Sequence, residues 1–276
     1  MSVSTGGKTG SQLPSARYAI GAVAGDWRDD PAQHPALREL DRLHSALSRP
    51  PRGGLLARLT GRSAGAAPAG LYLWGGVGRG KTFLIDLFFD GLPLTEKRRT
   101  HFHRFMRQVH AQLRAHVGER DPLVAIVRAW RKQCRVLVLD EFLVSDIGDA
   151  MLLARLLERM FAEGMVLVTS SNTPPVDLYL HGLQRERFLP AIALIQRHCH
   201  VLKLDSAHDY RLLALTRSPV YRAPLDADAD GWLRARWEAL AAGTPTEDGP
   251  LQVEGRQIPV RALAEGHVWF DFVDLC

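Results

Sequence analysis

Three cysteines are all the chain carries, Cys134, Cys199 and Cys276, and no two form a CxxC pair. An odd count at wide spacing supplies neither a disulfide framework nor a zinc ligand set, and it suits a reducing compartment. No apolar run approaches the ~20 residues that a bilayer span needs. The opening MSVSTGGKTGSQLPSARY has no apolar core and does not read as a signal peptide. These absences set the expectation of a soluble, cytoplasmic protein. Charge is not concentrated either. Lys and Arg number 35 against 30 Asp and Glu, a formal net charge of +5. The arginines are spread over helical segments without a basic stripe, which argues against a nucleic-acid partner. The tryptophans form no stacking array for single strands, and there is no internal repeat.

What is present is ordinary globular material: 276 residues, 46% hydrophobic and 24% charged. That suffices for one large domain, or a domain with a smaller appendage. Residues 1–16 are small and polar and are expected to be disordered. In DPAQHPALRELDRLHSAL, Leu37, Leu40, Leu43 and Leu47 recur at helical spacing after Asp30-Pro31. A Pro/Gly/Arg-rich linker follows over 49–69. Short apolar segments then alternate with helical ones. LYLW (71–74), THFHRF (100–105), VLVLD (136–140), VLVTS (166–170) and HVLKL (200–204) read as strands, with helices between them. That alternation predicts a doubly wound parallel sheet. Past residue 217 the pattern becomes a small α+β extension. It holds a helix over 229–241, a hairpin turning near Glu254-Gly255, and a final strand in HVWFDFVDLC. The expected organisation is 1–66 (tail, helix, linker), 67–217 (core) and 218–276 (extension).

Gly75-Gly76-Val77-Gly78-Arg79-Gly80-Lys81-Thr82 fits G-x-x-x-x-G-K-[ST], and it sits between a strand and a helix, as the motif requires. Glycines let successive N–H groups converge on one anion, and the following helix offers its positive end there. Lys81 reaches the β and γ phosphates of a nucleotide such as ATP, and the Thr82 hydroxyl ligates Mg²⁺. Gly7-Lys8-Thr9 is a decoy: Ser2 stands where the first glycine is needed, and no strand precedes it.

Asp140 and Glu141 end an apolar strand, and ligands of parallel sheets bind at the carboxyl ends of strands. Asp140 is expected to hold Mg²⁺ beside Thr82, directly or through water, and Glu141 to act as general base on the attacking water. A small-metabolite kinase uses its acceptor's own hydroxyl and needs no such glutamate. Asn172 ends the next strand and is expected to orient that water or touch the γ-phosphate. Arg185, in Gln184-Arg185-Glu186-Arg187, is read as an arginine supplied to a neighbouring subunit's nucleotide, with Arg187 as the alternative. His101, His103 and His110 lack a cysteine or paired acid to complete a metal site, so packed or hydrogen-bonded roles are expected. Core packing is expected for Phe105 and Met106, a pore contact being the alternative.

The stretches GLYLWGGVGRGKTFLID, HFHRFMRQVHAQL, VLVLDEFLVSDIGDAM, HGLQRERFLPAI and LDSAHDYRL resemble the ZapE family of cell-division AAA+ ATPases, over about residues 18–276. The resemblance implies an AAA+ P-loop NTPase of three layers, with a five-stranded sheet in the order 5-1-4-3-2. It implies an oligomeric, ATP-hydrolysing remodeller of a protein partner, linked to the division ring and to FtsZ polymers. Any membrane association is expected only through partners. Family members continue past the position of Leu275-Cys276 into a helical lid, which is expected to be absent from this chain. A nucleotide-binding switch without turnover, or a DNA-associated ATPase of the helicase-loader kind, are the alternatives.

Overall fold

β-Branched and leucine-rich segments with little room for a polar face make strands that must be covered on both sides. Three such strands, β1 (Gly70–Trp74), β3 (Val136–Asp140) and β4 (Val166–Ser171), form the middle of a parallel sheet with the more polar β2 (Lys97–His101) and β5 (Cys199–Lys203) at its edges, in the order β2-β3-β4-β1-β5. This is the expected order, written from the opposite edge. The computed structural model describes residues 12–49, 67–118, 120–206, 226, 228–240, 249–253, 255–264 and 267–275. Contacts divide the chain into two units, Met1–Leu213 and Ala214–Cys276.

The pleat sorts the strand residues into two cores. Leu71, Leu73, Val136, Val138, Val166 and Val168 face the core built with α1 (Pro14–Ala24), α2 (His34–Ser48) and α3 (Lys81–Gly91). Tyr72, Leu137, Leu139 and Leu167 face the core built with α4 (Phe102–Ala115), α5 (Pro122–Arg131), α6 (Ile147–Ala162) and α7 (Leu189–His198). An isolated helix as short as α2 is marginal in water. Its leucines 37, 40, 43 and 47 are all buried, and that packing holds it.

Three elements differ from the sequence reading. Residues 1–11 lie outside the described residues, but Pro14, Ser15 and Ala16 belong to α1, with proline in the first turn. β2 is KRRTH, not THFHRF. The apolar residues after it, Phe102, Phe105, Met106 and Val109, are buried at helical spacing on α4, so Phe105 and Met106 are core. Among the described residues β2 pairs only with β3, at the sheet edge, where Lys and Arg discourage further pairing. In the second unit, α8 (Ala229–Leu240) and the hairpin of β6 (Leu251–Val253) with β7 (Arg256–Ile258) follow expectation. The final strand does not. β8 (Ala262–Ala264) pairs with β9 (His267–Trp269), and the chain then turns into the short α9 (Phe272–Leu275). Beside that ladder Arg261 holds Asp271 at 2.8 Å and Asp230 at 3.0 Å.

Leu43 is fully buried between α2 and the sheet. Leu43→Ala is expected to destabilise the first unit by about 2–5 kcal/mol, read as a lowered urea midpoint; a loss below about 0.5 kcal/mol, as at ordinary surface sites, would place α2 outside the core.

Candidate functional site

The carboxyl end of β1 runs into Gly75, whose backbone φ of 154° passes so close to β5 that an added Cβ would stand 2.3 Å from the Leu204 carbonyl oxygen. Gly80, at φ 89°, lets the loop reverse into α3. The loop then closes on Lys81. That residue is 8% exposed, and its ammonium donates to the carbonyls of Gly75 at 2.8 Å and Gly76 at 2.7 Å and to Asn172 Oδ1 at 2.9 Å. A lysine has three donors, so these contacts tie the phosphate loop to the end of β4. Asn172, placed by sequence as a sensor, thus stands at the loop.

Asp140 ends β3 with 5% exposure. A carboxylate buried that far needs partners. Arg99 on β2 supplies them, Nε to Oδ2 at 2.6 Å and Nη2 to Oδ1 at 3.4 Å, while its Nη1 binds Asp86 of α3. Burial works against the Arg99 charge. The carboxylates of Asp140 and Asp86 more than offset this, and its pKa stands above the ordinary guanidinium value. Ser170 of β4 donates from Oγ to Asp140 Oδ1 at 3.3 Å. Its neighbours stitch the same two strands: Thr169 Oγ1 donates to the Leu139 carbonyl at 2.7 Å and Ser171 Oγ to the Phe142 carbonyl at 2.8 Å.

Glu141 leaves the strand at φ 54°, a left-handed conformation that costs a non-glycine residue about 1–3 kcal/mol. That turn frees its side chain, 77% exposed, with Oε2 at 4.0 Å from His101 Nδ1. A cavity of about 500 Å³ is lined by Thr82, Arg99, His101, Arg104, Asp140 and Glu141. The Thr82 hydroxyl and the Asp140 carboxylate therefore share one space and offer oxygen donors only, the set that Mg²⁺ prefers.

Some residues placed by sequence stay apart. Arg185 folds back on its own chain, donating from Nη2 to the Val176 carbonyl at 2.6 Å, and its buried Nε has no hydrogen-bond partner among the described residues. Arg187 is exposed. His101 stacks on His103 (centroids 5.9 Å, planes 17° apart), whereas His110 binds Asp149 at 2.7 Å. Sequence reasoning missed Arg99 and Ser170. Arg99 lay just outside the strand read from sequence, which began at Thr100, and Ser170 stood at the end of VLVTS with no local signal of its partner.

Fold and loop together define a P-loop NTPase of AAA+ strand order. Within that class the chain belongs to the AFG1-like ATPase family, whose model matches residues 12–276. It is 40% identical over 277 aligned residues to the cell division protein ZapE of Escherichia coli (strain K12), covering 96% of this chain and 74% of that protein. It is 34% identical over 288 residues to an uncharacterized protein of Schizosaccharomyces pombe, covering 91% of this chain and 63% of that one. The resemblance noted in the sequence is thus borne out. Among solved structures, a DnaI crystal structure has TM-score 0.45 and 18% identity, covering 65% of this chain and 88% of that one; so distant a likeness carries no functional argument. Nucleotide binding, with Mg²⁺ as its usual companion, follows from family and fold. Among the described residues no helix is long and apolar enough to cross a membrane.

The Arg99 side chain keeps 20% exposure and that of Asp140 7%. Arg99→Met is expected to cost about 2 kcal/mol, below the roughly 3–5 kcal/mol of a fully buried broken pair. Combined with Asp140→Asn, the total loss in urea unfolding should fall short of the sum of the two single losses. Strict additivity would mean that the pair is not coupled.

Proposed function

We propose that this chain hydrolyses ATP with Mg²⁺ and couples turnover to remodelling a protein partner. One observation carries the reading. At the carboxyl ends of β1, β3 and β4, a phosphate loop whose lysine holds Asn172 meets a buried aspartate and an exposed glutamate. In this reading the N–H groups of Gly75–Gly80 surround the phosphates. Lys81 exchanges some of its present carbonyl acceptors for phosphate oxygens. Thr82 and Asp140 hold Mg²⁺, which draws off charge from the phosphates when bound. Glu141, projecting from its left-handed turn, takes the proton of the attacking water. Asn172 keeps Lys81 and the terminal phosphate in register.

The catalytic core is proposed to span 67–217, with 1–66 as tail, amphipathic helix and linker and 218–276 as a small extension. Arg185 is proposed to act in trans in a homo-oligomer. It must first release the Val176 carbonyl, and Arg187 is the alternative. The name of the Escherichia coli relative, a cell division protein, supports a partner in the division ring. We take that partner to be FtsZ, acted on in the cytoplasm.

Turnover tests the reading. Glu141→Gln is expected to lower ATP hydrolysis by roughly 10²–10⁴-fold while nucleotide still binds, and Lys81→Ala to lose nucleotide binding. Hydrolysis equal to wild type in Glu141→Gln would sink the assignment of the base, and undiminished ATP affinity in Lys81→Ala would refute the loop. Arg185→Ala is expected to spare binding and to lower turnover only at concentrations where the protein assembles. Unchanged turnover in the assembly would move the role to Arg187.

A further inference from the structure

Two arginines line the cavity that Thr82, Asp140 and Glu141 share, and they differ in what holds them. Arg99 is spent: its Nε and Nη2 go to Asp140 and its Nη1 to Asp86. Arg104, in the first turn of α4, is exposed, and among the described residues no carboxylate or carbonyl holds its guanidinium. Its own helix, FHRFMRQVHAQLRA, contains no acid that could pair with it one turn away.

The position of Arg104 is nonetheless fixed. Phe102, Phe105, Met106 and Val109 turn one face of α4 into the core, which leaves the side chain at 104 on the opposite face. Phe102 packs on Phe142, with ring centroids 4.5 Å apart, and Phe142 follows Glu141 in the chain. That ring contact sets the turn carrying Arg104 against the turn carrying Glu141.

On a helix face turned to bulk water, such an arginine would be an ordinary solvated charge. Arg104 instead borders a space of about 500 Å³. In the reading above, Thr82 and Asp140 serve the metal there, and Glu141 serves the water that attacks the terminal phosphate. A side chain sharing their cavity faces that phosphate rather than the sugar or the base. The loop N–H groups and Lys81 reach the phosphates from the side of α3, whereas Arg104 comes from α4. Charge spreads over the phosphoryl oxygens as the group transfers, and a guanidinium meets such oxygens with paired donors in a fixed fork.

We propose that Arg104 is a catalytic residue acting in cis, its guanidinium donating to the oxygens of the terminal phosphoryl group most strongly in the transition state. The inference rests on the reading that Gly75–Thr82 hold ATP and that Glu141 activates water. In that step the water oxygen bonds to the γ-phosphorus and its proton passes to Glu141. The bond from that phosphorus to the bridging oxygen breaks, and its electron pair leaves on ADP. Arg104 neither gains nor loses a proton. Its part is separate from that of Arg185, which is proposed to serve a neighbouring subunit.

Two measurements on wild type, Arg104→Ala and Arg104→Lys test this. One is steady-state ATP hydrolysis over a range of protein concentrations. The other is calorimetric titration with ADP alone and with ADP plus aluminium fluoride, which mimics the transferring group. In Arg104→Ala turnover is expected to fall roughly 10²–10³-fold at every protein concentration, the loss that follows removal of one donor aimed at a transition state. ADP is expected to bind as in wild type, and ADP with aluminium fluoride roughly 10²-fold more weakly. Arg104→Lys, which keeps the charge but not the fork, is expected to fall between. Unchanged turnover in Arg104→Ala overturns the role. So does equal weakening of ADP with and without aluminium fluoride, which is what a structural contribution would give. A loss confined to concentrations where the protein assembles overturns the assignment in cis. A wild-type chain that binds no ADP, or binds it without hydrolysing ATP, overturns the nucleotide reading itself and the role of Arg104 with it.

Discussion

A parallel sheet covered by helices on both faces leaves only the ends of its strands for polar groups. Everything chemical in this protein follows from that constraint. The interiors of the three central strands, β1, β3 and β4, are rich in Leu and Val, alternating between two cores. Polarity begins where each strand stops: Gly75 after β1, Asp140 at the end of β3, and Ser170, Ser171 and Asn172 at the end of β4. Because β3, β4 and β1 are neighbours, these ends meet at one place. Covering the sheet is thus also what assembles the site.

The assembled groups hold one another. Lys81 spans from the loop carbonyls to Asn172, and Arg99 spans from Asp140 to Asp86 of α3. Two buried or half-buried cations thus lock the loop, the carboxylate strand and the helix after the loop into one frame. Such charges are expensive to bury singly and tolerable in satisfied pairs. The glutamate is treated oppositely. A left-handed turn puts it outside the frame, exposed and next to His101. A carboxylate that holds a metal is served by fixed partners, whereas one that handles a proton needs room for water.

Much of this was legible in the chain itself. The loop, the Asp-Glu pair and the polar end of β4 are local patterns whose chemistry depends on neighbours in sequence. The leucine spacing of α2 and the helical stripe of α6 are local as well. In both failures the strand signal in the sequence does not coincide with the strand pairing. β2 was misplaced because an edge strand rich in Lys and Arg carries little apolar signal, while the β-branched and aromatic residues of THFHRF carry strand propensity. The last strand was overextended because the aromatic and β-branched run of HVWFDFVDLC continues past Trp269, where its pairing with β8 stops.

Sequence alone determined where the glycine-rich loop, the Asp140-Glu141 pair and the polar end of β4 stand, since each is a pattern of residue types at short spacing. Only the tertiary structure decided who stands beside them. Arg99 reaches Asp140 across 41 positions, and Ser170 reaches it across 30. Strand register and helix docking make those contacts, and both come from the summed packing of two cores. No short stretch of the chain encodes that sum.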